Sequence, residues 1–119
     1  MGSDVQVACC TRMIRSPQAQ SSQRAQITMH ATPTVQVENE RVIVTKWTFA
    51  PGADTGDHVH GHDYVVVPLT TGKLRLVEPT GTRDVELTAG GSYARLTGVA
   101  HNVININDFE FSFVEIELK

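Results

Sequence analysis

A chain of 119 residues, 40% hydrophobic and 19% charged, suits one compact core and leaves little room for a second domain. A net charge of −3 argues against nucleic acid or an anionic membrane as partner. No apolar run approaches the roughly 18 residues that a membrane-spanning helix needs.

The N-terminal segment differs from the rest in composition. Residues 1–29 carry Arg12, Arg15 and Arg24 against Asp4, whereas the remainder has seven basic and twelve acidic side chains. The stretch "RSPQAQSSQRAQITM" (15–29) has too little apolar surface to offset the entropy of ordering it. A flexible tail over residues 1–30 and a folded domain over 31–119 are therefore expected. Both cysteines, Cys9 and Cys10, lie in that tail and close no useful loop. "DVQVACCTRMI" is broken by Asp4, Gln6 and Arg12 where a signal peptide would be apolar. A cysteine-free domain fits a cytoplasmic setting.

From Thr34 onward, alternation of apolar and polar residues predicts strands. "TVQVE" (34–38) and "RVIVTKWTFA" (41–50) flank a turn at Asn39-Glu40. "YVVVPL" (64–69) and "KLRLVE" (73–78) are joined by "TTG", with Gly72 offering a left-handed turn position. Pro68 cannot donate a ladder hydrogen bond, so a bulge or an edge is expected there. "RDVEL" (83–87), "SYARL" (92–96), "HNVININ" (101–107) and "FEFSFVEIEL" (109–118) complete the series. Eight or so short, regularly spaced strands predict an all-β antiparallel sandwich or barrel. In the last, Phe109, Phe111 and Phe113 share one face, and Val114, Ile116 and Leu118 share the other. Two apolar faces imply either a central strand that switches its buried face at a bulge, or a face that meets another subunit.

The richest chemistry lies in "GDHVHGHDYVVV" (56–67), which holds three of the five histidines. On a strand, residues two apart point the same way, so His58 and His60 aim at one point. Neutral imidazoles that converge are the start of a transition-metal site. His101, in "GVAHNVIN", is the candidate third ligand, and His30 is left out for want of a polar companion. Chance clustering of histidines in a surface loop is the plainer alternative.

Two blocks resemble the signature motifs of the cupins, small β-barrels with a metal site. In the first, Gly52 is followed by five residues, His58-Val59-His60, and a closing Gly72. In the second, Gly90 is followed by five residues, Leu96-Thr97-Gly98, two residues, His101, three residues and Asn105. Leu96 stands where the motif has proline. The resemblance spans about residues 34–118 and implies a double-stranded β-helix, or jelly-roll, barrel with His58, His60 and His101 as ligands. The motif's carboxylate is missing, with Tyr64 or Val65 in its place, and the spacing to Gly72 is one residue longer, as a bulge near Pro68 would make it.

The resemblance also implies a chemistry. A neutral three-histidine centre favours an anionic ligand in its open positions. Tyr64 is the candidate catalytic side chain, His62 a fourth ligand or a neighbour of the ligands, and Asp63 a group that orients an imidazole. Iron(II) is the expected metal, with nickel, zinc or manganese able to bind. The "HDYVVVPLT" and "HNVIN" blocks resemble more narrowly a group of small bacterial cupins associated with polyamine and β-alanine catabolism. An oxygenase acting on a small carboxylate and a non-catalytic, homodimeric binding module are the two functions in view. Arg95, Arg75 and Lys73 could hold a substrate carboxylate, but alternation alone does not say which of them points inward.

Overall fold

The structure, a computed structural model, describes residues 29–119. The tail expected over 1–30 lies outside the described residues except for Met29 and His30. His30 Nδ1 lies 3.2 Å from Asp54 Oδ1, so this histidine does have a polar companion.

Among the described residues nine strands form: β1 (Thr32–Glu38), β2 (Val42–Phe49), β3 (His58–Val59), β4 (Asp63–Pro68), β5 (Gly72–Glu78), β6 (Gly81–Leu87), β7 (Tyr93–Arg95), β8 (Ala100–Asn105) and β9 (Phe111–Leu118). They make a five-stranded sheet, β1-β2-β9-β4-β7, and a four-stranded sheet, β3-β8-β5-β6, with every strand pair antiparallel. Alternation on each strand sends Phe49, Phe111, Phe113, Tyr64 and Val66 of one sheet against Leu74, Leu76, Leu87 and Val103 of the other. This is the all-β antiparallel barrel that the patterning predicts, in the jelly-roll form that the cupin resemblance implies. Burial of these side chains supplies the main driving force for closing the two sheets.

Local devices depart from the sequence expectation in instructive ways. Asn39 turns the chain by accepting the backbone N–H groups of Arg41 and Val42 through its side-chain oxygen. Gly72 is not in a left-handed conformation, whereas Gly52, Gly90 and Gly98 are, with φ of 82°, 83° and 90°. What Gly72 provides is room, since a Cβ there would meet Asn107 Oδ1 at 2.8 Å. Pro68 sits at the end of β4 in unbroken register with β9 and beyond the reach of β7, so it needs neither a bulge nor an edge strand. The extra residue before Gly72 is therefore absorbed in the 69–71 connection.

Strand β9 is central and keeps its register with β2 and β4 throughout. Phe111, Phe113 and Glu115 all face inward, so no bulge exchanges its faces. Phe109 lies before the strand and is exposed. The outward face carries half-buried Val114 and Ile116, flanked by Val44 of β2 and Val65 and Val67 of β4.

Candidate metal centre

The stretch from His58 to Tyr64 is not one regular strand. His58 belongs to the four-stranded sheet and Tyr64 to the five-stranded one, so the chain crosses between sheets at His60–His62. His58 stands directly opposite His101 in the β3–β8 ladder, which places both rings on one inward face. The crossing is pinned by the turn before β8: His60 N–H donates to Val99 O at 2.9 Å, and Gly98 N–H donates to His60 O at 2.7 Å. The left-handed Gly98 of the second motif thus locks the histidine of the first.

The three imidazoles meet as the spacing predicts. His60 Nε2 lies 3.0 Å from His58 Nε2 and 3.1 Å from His101 Nε2, although His60 and His101 are 41 residues apart in the chain. His58 Nδ1–H donates to Gly56 O at 2.9 Å, which leaves its Nε2 with a lone pair facing inward. Three nitrogens crowded at this distance cannot all be satisfied by one another's protons. A cation among them would resolve the conflict. Metal–nitrogen bonds of about 2.1 Å at right angles would separate ligand nitrogens by about 3.0 Å, against about 3.4 Å for a tetrahedral set. The two distances are short enough for the three nitrogens to share one divalent ion. Burial first, and the neighbouring His58 second, lower the pKa of both His60 and His101 from 6.5 to about 4, with the Arg95 charge adding to the effect. Both rings are therefore neutral near pH 7, the form that binds metal.

Two carboxylates from another strand stand beside His60, although not within reach of all three histidines. Glu115 and Glu117 point inward from β9, with Glu115 Oε2 at 3.7 Å from His60 Nε2 and Glu117 Oε2 at 3.7 Å from His60 Nδ1. His60, Glu115 and Glu117 form a second group close enough to share an ion. Burial, reinforced by Glu117, raises the pKa of Glu115 from 4.5 to about 7, partly offset by a hydrogen bond from Trp47. Sequence reading missed both residues. The alternation of "FVEIEL" puts them on the same face as Phe111 and Phe113, but only the β4–β9 register brings that face to His60.

Tyr64 does reach the centre. Its ring stacks on His60, with centroids 3.9 Å apart and planes 20° from parallel. The hydroxyl is buried without a partner among the described residues, and burial raises its pKa from 10.0 to about 12 against the opposing pull of Arg95. It remains protonated at neutral pH, a donor rather than an anionic ligand. His62 is half-buried and lies outside both ligand groups. Asp63 does not orient an imidazole; its carboxylate accepts the Thr97 N–H at 2.7 Å. Of the three basic candidates, Arg75 pairs with Asp84 and Lys73 with Glu86 on the outer surface, and only Arg95 faces inward, opposite Tyr64.

No family model matches the chain. β-Alanine degradation protein BauB of Pseudomonas aeruginosa is 62% identical over 89 residues, which span 75% of this chain and 94% of BauB. A cupin domain of known structure from Bordetella pertussis Tohama I is 57% identical with a TM-score of 0.78, covering 79% of this chain and 98% of that one. A Klebsiella pneumoniae protein with a double-stranded β-helix domain is 23% identical with a TM-score of 0.64, covering 75% and 76% of the two chains, and shares the fold.

Proposed function

This chain belongs to the cupin family, with β-alanine degradation protein BauB among its relatives, and we propose that it binds a divalent metal through His58, His60 and His101 and acts there on a small carboxylate of β-alanine catabolism. The observation that carries the reading is the convergence of three Nε2 atoms at 3.0 and 3.1 Å. Iron(II) is the metal we assign for oxygenase chemistry; zinc, nickel and manganese suit the same donors. A bound metal would supply Lewis acidity and open positions for substrate oxygen and dioxygen.

The chain's own groups have separable duties. His60 and His101, held neutral by burial, present lone pairs without competition from protons above about pH 5. Tyr64 keeps its proton and offers it as a hydrogen bond to a ligand beside His60. Glu115, with a pKa of about 7, can accept or return a proton near neutrality, where general acid–base catalysis is most effective. We place the protein in the cytoplasm, in keeping with a cysteine-free domain.

Oxygen uptake by iron-loaded protein tests the reading. Three-carbon carboxylates of the β-alanine pathway should stimulate consumption, and His101→Ala should abolish it. Full iron occupancy with no turnover on any of them would leave the protein a binding module.

A further inference from the structure

Edge strands β6 and β7 of the two sheets part along one seam of the barrel. A cleft of about 340 Å³ opens there, lined by Leu76, Arg83, Val85, Leu87, Tyr93 and Arg95, within the range of small-molecule sites. We propose that this cleft is an anion subsite in which Arg95 and Arg83 hold the carboxylate of a short aliphatic acid whose other end points toward the histidines. The inference rests on the metal-centre reading for what meets that other end, but not for the subsite itself.

Three observations support it. First, both guanidinium groups are fixed by one carboxylate and are far from saturated by it. Arg83 Nε–H donates to Glu78 Oε1 at 2.9 Å, and Arg95 donates one terminal N–H to Glu78 Oε2 at 3.3 Å. The other donors of each fork have no side-chain partner among the described residues. Two cations against one anion leave the cleft at +1, the complement of a monocarboxylate. A planar guanidinium matches a carboxylate with two parallel hydrogen bonds.

Second, the cleft neighbours the centre. Arg95 stands opposite Tyr64 in the β4–β7 ladder, and Tyr64 stacks on His60. Glu78, which ties the two arginines together, also lines a separate cavity with His58 and His101. A single residue therefore borders both the anion end and the histidine end.

Third, the wall beyond the arginines is mostly apolar. Leu76, Val85 and Leu87 suit methylene groups, Tyr93 completes the lining, and the carboxylate at hand, Glu78, is already engaged by both guanidinium groups. A protonated amine held in the cleft would face the net cation of the two arginines. The ligand class is thus a short acid with a neutral oxygen function at its far end, not an amino-acid zwitterion. A reaction that removes the amine, such as transamination, would have to supply it.

Titration of the full chain, both metal-free and zinc-loaded, with propionate, 3-hydroxypropionate and β-alanine tests the subsite, with amide and guanidinium NMR shifts as the readout. Propionate and 3-hydroxypropionate should shift Arg95 and Arg83 signals and bind at least tenfold more tightly than β-alanine. Arg95→Gln should weaken propionate by about tenfold or more, the value of a charge-assisted bidentate pair, and Arg75→Gln should change nothing. Arg95→Lys, which keeps the charge and loses the fork, should weaken it several-fold and serves where the glutamine variant unfolds. Equal affinity in the Arg95 variants, or β-alanine bound as tightly as propionate, would overturn the proposal. Zinc content separates the two readings. A protein without zinc whose propionate binding still depends on Arg95 keeps the subsite and loses the metal centre. A zinc-replete protein whose propionate binding ignores both arginines does the reverse.

Discussion

His60 and Glu115 lie 3.7 Å apart, and near pH 6 the contact joins two neutral groups rather than an ion pair. Burial disfavours the charge on each, and it does so in opposite pH directions. In the metal-free protein, His60 and His101 take up protons only near pH 4, whereas unfolded imidazoles do so near 6.5. The unfolded chain therefore binds more protons between those values, and stability falls as pH drops through that window. Glu115 opposes this trend: folded, it holds its proton to about pH 7, whereas unfolded it releases it near 4.5. Its penalty is absent at low pH and grows as pH rises through that interval. Glu115→Gln should raise the melting temperature of the metal-free protein at pH 8, with the gain shrinking toward zero by pH 5. Thermal melts at the two pH values check this, and a gain that is larger at pH 5 would contradict the assignment.

Strand β8 does two jobs with one alternation. His101 faces the centre, Val103 the core, and Asn105 is fully buried at the strand's end. Asn105 Nδ2 donates to the carbonyls of Phe49, Ala50 and Phe109, and its Oδ1 accepts from Asn107. It thereby ties the end of β2 and the approach to β9 to the four-stranded sheet. Asn105→Ala removes all of these bonds, with Ala50 O keeping the Ala53 N–H, and should cost about 2–4 kcal/mol, read from urea unfolding. Loss below about 0.5 kcal/mol would mean that the latch carries no weight. Strands also divide what is legible in the sequence from what is not. Strand periodicity and the two spaced motifs place His58, His60 and His101 in the chain, because each depends on local order. The break after Val59, Gly72's role as a space for Asn107, and the arrival of Glu115 beside His60 depend on which strand neighbours which. Alternation carries no such information, so the two carboxylates beside His60 could not be read from it.

The outer face of the five-stranded sheet carries a run of half-buried apolar side chains. Ile116 is flanked by Val44 on β2 and Val65 on β4, and Val114 by Val67, across three adjacent strands. We propose that this face joins two copies of the chain, since apolar surface of this kind is what homodimer interfaces bury. Light scattering should give a dimer mass for the wild type and a monomer mass for Ile116→Lys; a monomeric wild type would refute it. The three-histidine cluster stands on the other side of that sheet, inside the barrel, and the proposed chemistry requires a metal there. Metal analysis of protein purified without an affinity tag tests it most directly, alongside His101→Ala. The wild type should hold about one equivalent of divalent metal per chain, with near-complete loss in a variant that still shows the β-sheet spectrum and cooperative melting of the parent. Less than about a tenth of an equivalent in the wild type, or undiminished metal in the variant, would contradict it.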